Sequence, residues 1–273
     1  MTTYDIPGRL RLKMKLPAGQ IELTTHDRPV ADVEVEPIGR DSASIEAAEN
    51  VRQELRERGA GDHELIVESG SRRGGLAFWR DAALRFTITV PHGADVEVET
   101  ASADIDAQGS YGKVRAATAS GEVTFGEIEG DATVKAVSGD VELGSLAGKA
   151  ECKTVSGDVL LPRVGGDVTV NTVSGDVHVG EAGGSVKSKS VSGDLRLDSV
   201  RRGDLRLMSV SGDMRIGIAQ GVKLWMDVTS VSGQMVSELD ASDGGGSPEV
   251  ELRIEARSTS GDIRLTRSVG VPG

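Results

Sequence analysis

From residue 94 onward the chain alternates apolar and polar positions in short runs of the form x-Val-x-Val, and the runs recur. GDATVKAVSGDVELGSLA (130–147) aligns with GDVTVNTVSGDVHVGEAG (166–183). Each 18-residue unit holds two such runs, separated by a Ser-Gly-Asp corner and by a second glycine-rich corner. A period of two predicts strands with one apolar face. The inward set is Val96/Val98, Val114/Ala116, Ala132/Val134, Ala150/Cys152, Val168/Val170, Val186/Ser188 and Leu205/Leu207 on the first strands. On the second strands it includes Val123/Phe125, Val141/Leu143, Val159/Leu161, Val177/Val179, Leu195/Leu197, Met214/Ile216 and Ile263/Leu265.

The corner serines, degenerate copies included, fall at Ser102, Ser120, Ser138, Ser156, Ser174, Ser192, Ser211, Ser232 and Ser260; the first five intervals are 18 residues and the last three 19, 21 and 28. A constant period this short marks one turn of a stack. One coil cannot bury its own valines; coils stacked about 4.8 Å apart join them into ladders and pair the strand backbones. The predicted fold class is all-β: a β-solenoid of about nine coils, two short strands to each, with further strands and one helix at the N-terminus. Asp243–Pro248, DGGGSP, reads as a loop that delays the last coil.

Upstream the pattern loosens. Leu10, Leu12, Met14 and Leu16 alternate, as do Ile21 and Leu23, and Val33 and Val35. Residues 41–58 instead place Ile45, Ala48, Val51 and Leu55 three or four apart with Gly59 beyond, which predicts a short amphipathic helix over a sheet edge. Strand alternation resumes at His63–Glu68 and Leu84–Val90. LPAG before QIEL (16–23) and VPHG before ADVEV (90–98) read as one Pro-x-Gly lead-in used twice. The expected organisation is an N-terminal β region over 1–93 continuous with the solenoid, repeats over 94–267, and a tail over 268–273.

Composition narrows the function classes. The 273 residues carry 43 acidic and 31 basic side chains, a net charge of −12, which argues against nucleic acid as a partner. Basic residues gather late (Lys187, Lys189, Arg196, Arg201, Arg202, Arg206, Arg215) and acidic ones early (Glu97, Glu99, Asp104, Asp106), an uneven charge suited to an acidic partner or to a solvated face. No run approaches 18 apolar residues and the N-terminus lacks an apolar signal core, so the expectation is a cytoplasmic protein without direct membrane insertion. The single cysteine, Cys152, takes an inward position and should be an inert core thiol.

The residues after the corner glycines form a carboxylate row that includes Asp140, Asp158, Asp176, Asp194 and Asp213. Stacked one rung apart, such groups repel by about 1 kcal/mol per pair in water. The favoured reading is that each accepts hydrogen bonds from turn N–H groups. A row of calcium sites is the alternative, but the chain does not match the nine-residue calcium repeat. Thr/Ser-x-Ser before each glycine could order water as ice-binding solenoids do; bonding of those hydroxyls to the next coil's backbone is preferred. No nucleophile elbow, P-loop or metal-spaced histidine set stands out, so no catalytic residue and no cofactor is expected. A polysaccharide-acting solenoid enzyme remains as a further alternative. The local candidate for docking is the basic loop SGSRRGGLAFWRDA (69–82), where Arg72, Arg73 and Arg80 flank Phe78 and Trp79; the same rings could instead cap the stack.

The units TVSGDVLL, TVSGDVHV and SVSGDLRL, with LPAG-x-I-x-L upstream, resemble the bacterial "putative adhesin" β-repeat family of unknown function, whose fold is called the toastrack domain. That resemblance covers roughly residues 84–267. It implies the solenoid fold and no set of enzymatic residues, and it implies sensing or interaction roles near the bacterial envelope. The resulting expectation is a non-catalytic interaction or scaffold protein with an unidentified protein partner. Self-association is left open, and an envelope-associated sensing or adhesion module is the alternative.

Overall fold

The computed structural model describes residues 1–39, 42–59, 61–69, 83–239 and 251–268. The chain divides into two compact units, Met1–Gly144 and Ser145–Gly273, and parallel stacked strands build both. Among the described residues no helix is long and apolar enough to cross a membrane.

In the first unit the elements follow as β1 (Thr2–Asp5), β2 (Leu10–His26), β3 (Val30–Pro37), α1 (Ser42–Glu49), β4 (Arg52–Glu57), β5 (His63–Glu68), β6 (Leu84–Pro91), β7 (Ala94–Thr118), β8 (Val123–Ile128) and β9 (Ala132–Ala136). The division between units falls inside β10 (Val141–Leu146). β2 is long because it turns a solenoid corner while staying paired: Leu12 lies beside Val96 of β7, and Ile21 beside Ile105. On its other side β2 pairs in parallel first with β5 (Leu12 with Leu65) and then with β6 (Ile21 with Phe86). The coil of β5 and β6 therefore stacks outside β2, although it follows β2 in sequence.

This arrangement separates the two Pro-x-Gly segments. Ala18 and Gly19 occupy the same corner as Ser102 and Ala103, and a Cβ on Gly19 (φ +130°) would lie 1.9 Å from the Leu84 carbonyl oxygen. Pro91–Gly93 closes the opposite corner, where the Gly93 N–H donates to the Ser110 carbonyl at 3.0 Å. Proline presets φ for any tight turn, so the shared motif marks two unlike corners rather than one device.

Antiparallel strands close the outer side of that first coil: β4 on β5, β3 on β6, and β1 on β3, with α1 against β3 and β6. The helix is shorter than the 41–58 spacing predicts. The Asn50 N–H and Nδ2 both donate to the Glu46 carbonyl, at 3.1 and 2.7 Å, and end it. Ser44 and Ala47 are its buried residues, while Ile45 is exposed. Arg52–Glu57 becomes β4 because β5 offers it a full antiparallel backbone ladder, from Arg52 beside Glu68 to Glu57 beside His63.

The second unit contains β11 (Ala150–Lys153), β12 (Val159–Val164), β13 (Val168–Asn171), β14 (Val177–Ala182), β15 (Val186–Ser192), β16 (Leu195–Val200), β17 (Gly203–Ser211), β18 (Met214–Ile218), β19 (Leu224–Ser232), β20 (Met235–Ser237), β21 (Leu252–Ser260) and β22 (Ile263–Arg267). First strands stack on first strands, so Cys152, Val170, Ser188 and Leu207 form one ladder. Second strands stack likewise through Leu161, Val179, Leu197 and Ile216. Every inward pair read from the alternation is buried. Each such aliphatic side chain stabilises the stack by about 1.5–3 kcal/mol relative to exposure.

The stacking order departs from the sequence order here as well. β17 is followed in space by β21 (Leu207 beside Ala256), and β19 lies on the far side of β21 (Val228 beside Ala256). β22 sits in the same way between β18 and β20. The widening of the serine interval to 21 and 28 residues is the trace of a coil inserted out of order, not of a delayed last coil; Asp243–Pro248 lies outside the described residues. Leu252, Ile254 and Ala256 of β21 are short aliphatics fully buried between two rungs, whereas β19 carries the bulkier Trp225 and Met226, both part exposed.

Candidate interaction surfaces

The corner carboxylates are spent on the backbone. In the second unit Asp158 Oδ1 accepts from the Asp176 N–H at 2.7 Å, Asp176 from Asp194 at 2.8 Å, and Asp194 from Asp213 at 2.8 Å. The row continues through the inserted coil: Asp213 accepts from Asp262 at 2.9 Å, and Asp262 from Gln234 at 2.8 Å. Each bond pairs an ionised acceptor with a backbone donor, the stronger kind of hydrogen bond, which offsets the repulsion between rungs. In the first unit Asp104 holds the Glu122 N–H in the same manner at 3.0 Å, and the Asp140 carbonyl accepts from Val123. The opposite corner repeats the device with Asp95 to Lys113 (2.7 Å) and Asp167 to Ser185 (3.0 Å). Gly166-Asp167 is the sign of this second row in the sequence, whereas Asp95 follows Ala94 and carries no such mark. Among the described residues no group of three or more His, Cys, Asp or Glu could hold a metal ion.

The corner hydroxyls follow only in part the reading that bonds them to the next coil's backbone. Thr100 Oγ1 does accept from the Ala103 N–H at 2.9 Å, and Ser230 Oγ donates to the Gly261 carbonyl at 3.0 Å. The hydroxyls of Thr118, Thr154, Thr172, Ser190, Ser209 and Ser258 are buried with no hydrogen-bond partner among the described residues. Neighbouring rungs are about 4.8 Å apart, too far for an O–H···O bond, so a hydroxyl cannot reach its equivalent one coil along. Of each such Thr/Ser-x-Ser pair only the first hydroxyl is withdrawn in this way; the corner serines Ser156, Ser174, Ser192 and Ser211 are exposed.

Between each hydroxyl and its corner serine stands an outward side chain. In the second unit Val155, Val173, Val191 and Val210 fill this place, each about half exposed. They stack in register, as the Ser156–Ser174–Ser192 bridges and the Ser192–Ser211 pair show. The result is an exposed apolar row along one corner of the stack. The same residue type at the middle of T-V-S-G-D was the available sign of it.

The outer face of the second strands carries a different row. His178, Arg196, Arg215 and Arg264 lie beside one another on successive rungs. Asp198 binds two of them, His178 Nε2 at 2.7 Å and Arg196 Nε at 2.6 Å. Partial burial opposes ionisation of Asp198, but these two hydrogen bonds outweigh it and hold the carboxyl below the usual aspartate range. The pair borders an open groove of about 840 Å³ whose walls include Pro162, Arg163, Gly180, Glu181 and Arg201, with Arg163 and Glu181 already paired at 3.3 Å.

Two of the early acidic side chains, Glu97 and Glu99, are neutralised from an unexpected direction. Glu97 meets Arg11 and Lys13, and Glu99 meets Lys15 at 3.2 Å, because β2 stacks directly on β7. Even so, the excess of acidic residues is concentrated in the first unit: residues 1–144 carry 26 acidic against 16 basic side chains, and residues 145–273 carry 17 against 15.

Cys152 is buried in its ladder, and desolvation, with Glu151 nearby, pushes its thiol up to about 12, so no thiolate forms at neutral pH. Arg72, Arg73, Phe78, Trp79 and Arg80 lie outside the described residues.

The Toastrack DUF4097 family model matches residues 19–266 of the chain. Two solved structures are similar. A putative cell adhesion protein from Clostridium sporogenes is 12% identical, with a TM-score of 0.33 over 97% of each chain. A putative adhesin from Bacteroides fragilis is 10% identical, with a TM-score of 0.46 over 97% of this chain and 95% of its own. No curated protein matches the chain.

Proposed function

The chain belongs to the Toastrack DUF4097 family, and from that premise we propose that it is a non-catalytic interaction module that presents repeat-built surfaces to a protein partner. The observation that carries this reading is the exposed valine row Val155–Val173–Val191–Val210. Four β-branched apolar side chains on adjacent rungs form a flat strip that water solvates poorly, and strips of this kind mark binding faces. The repeated carboxylates support the same reading, because one oxygen of each is engaged with the N–H group of the next rung. A chemical step needs acids and bases held in unlike environments, whereas these recur in one environment rung after rung.

The test compares wild type with Val173→Lys/Val191→Lys in cross-linking from native cells. Both sites are exposed, so the melting temperature should hold while the cross-linked partner is lost. A partner retained by the double variant refutes the valine row as the binding face. A turnover abolished by Asp158→Asn or Asp176→Asn refutes the non-catalytic reading.

A further inference from the structure

The last described rung of the second unit is built like an interior rung, and among the described residues no rung lies beyond it. Among the described residues β19 pairs with β21 alone and β20 with β22 alone. Met226 stacks on Ile254 and Met235 on Ile263. Those isoleucines are fully buried, while Met226 is 46% and Met235 57% exposed. Two core positions are therefore part exposed, next to a nine-residue strand with one backbone edge unpaired among the described residues.

Protected edges carry lysine, proline, a bulge or alternating charge. From Leu224 to Ser232 the sequence LWMDVTSVS has one charged residue, Asp227, and neither proline nor glycine. Arg257 of the neighbouring rung approaches that Asp227 at 3.7 Å, and Arg253 stacks over the Trp225 ring at 5.0 Å. The charge is partly neutralised and the aromatic ring has a stacking partner on its own chain.

The strand is also complementary to itself. An antiparallel two-fold pairing centred on Val228 sets Trp225 opposite Val231 of the second copy, Met226 opposite Ser230, and Asp227 opposite Thr229. Trp225, Asp227, Thr229 and Val231 share the outer face by parity, so the pairing gives an aromatic–β-branched contact on each side and opposes no like charges. The first unit offers a poorer template at the strand outside β5. Its outer strand β4 presents Arg52, Glu54 and Arg56 already bound to one another, which disfavours head-to-tail addition and leaves a closed, isologous pair.

We propose that the β19–β20 end of the second unit binds the same end of a second copy of this chain, joining the two β19 edges antiparallel about Val228.

The test is sedimentation equilibrium of the full chain with three variants on the exposed outer face. Wild type should show a concentration-dependent dimer. Thr229→Asp places a carboxylate opposite Asp227 of the second copy and should weaken dimerisation at least tenfold. Thr229→Lys places an ammonium there and should leave it unchanged or tighten it. Val231→Lys removes the partner of Trp225 and should weaken it. Melting temperatures of the monomeric forms should stay together, which separates association from folding. A wild type that stays monomeric at high concentration overturns the proposal, since the edge is then covered by the chain itself or free. A dimer equally insensitive to Thr229→Asp, Thr229→Lys and Val231→Lys also overturns it, since another face then joins the copies.

Discussion

The first coil of the first unit and the last coil of the second face the same physical problem and answer it differently. Both occupy a place in the stack that sequence order would not assign them. β5 and β6 sit outside the earlier β2, and β19 and β20 sit outside the later β21 and β22. Beyond β5 and β6 the chain adds three antiparallel strands and a helix. The β4 edge is guarded by charge: hydrogen bonds from Arg56 and Arg52 hold the Glu54 carboxyl down to about 2, so it is ionised at neutral pH. Beyond β19 and β20 the described residues add nothing, and the guarding charges are missing. A repeat thus makes the interior of a solenoid uniform and leaves its individuality to the ends.

The largest effect that separates covered from terminal rungs should come from truncating stacked core residues. Ile254 is buried between two rungs, so Ile254→Ala should cost about 2–5 kcal/mol through lost burial and a cavity that neighbours cannot fill. Met226, stacked directly on it but exposed on the outer side, should cost about 1 kcal/mol or less when changed to Ala. Chemical denaturation of both variants at dilution, where the chain is monomeric, checks the pair. Equal losses would mean that Met226 is covered after all, and the contrast between covered and terminal rungs would fail.

That contrast also explains what could be read in advance. Strand parity placed Val170, Leu161 and Ile216 inward correctly, because an alternating run has only two ways to face and one of them buries charge. Stack order was not legible: parallel strands of like pattern fit beside any neighbour, and nothing in GDLRLMSVS announces that it will lie next to LRIEARSTS rather than LWMDVTSVS. The helix was over-extended because Ile45, Val51 and Leu55 satisfy a helical spacing, yet β5 supplied a backbone partner that spacing cannot reveal. The carboxylate row could be placed at its corners from composition. The valine row was missed because its residues sit between two polar positions, where alternation reads them as one more strand residue.

A smaller effect is expected along the carboxylate row. Asp176→Ala removes the acceptor of the Asp194 N–H and should cost about 1–3 kcal/mol. Gln234, the last described member of the row, donates its N–H to Asp262, and among the described residues no rung follows to use its side chain. Gln234→Ala should therefore stay within about 0.5 kcal/mol of wild type. If both changes cost the same, the row stabilises through something other than side chain to next-rung bonding.

The smallest effect is the most discriminating, because its sign is in question. Thr172 and Ser230 occupy equivalent corner positions, one inside the stack and one on its last rung. Thr172 Oγ1 is buried without a partner among the described residues, while Ser230 Oγ donates to Gly261. Thr172→Val keeps the side-chain shape and removes a group that lost its solvation without gaining a bond, so stability should stay level or rise by up to about 1 kcal/mol. Ser230→Ala removes a bond that exists and should lower stability by about 1 kcal/mol. Denaturant midpoints at constant slope measure both. A loss of 1 kcal/mol or more at Thr172 would show that the interior hydroxyls are hydrogen-bonded, through the backbone or through bound water, and that the interior corners are held as firmly as the last one.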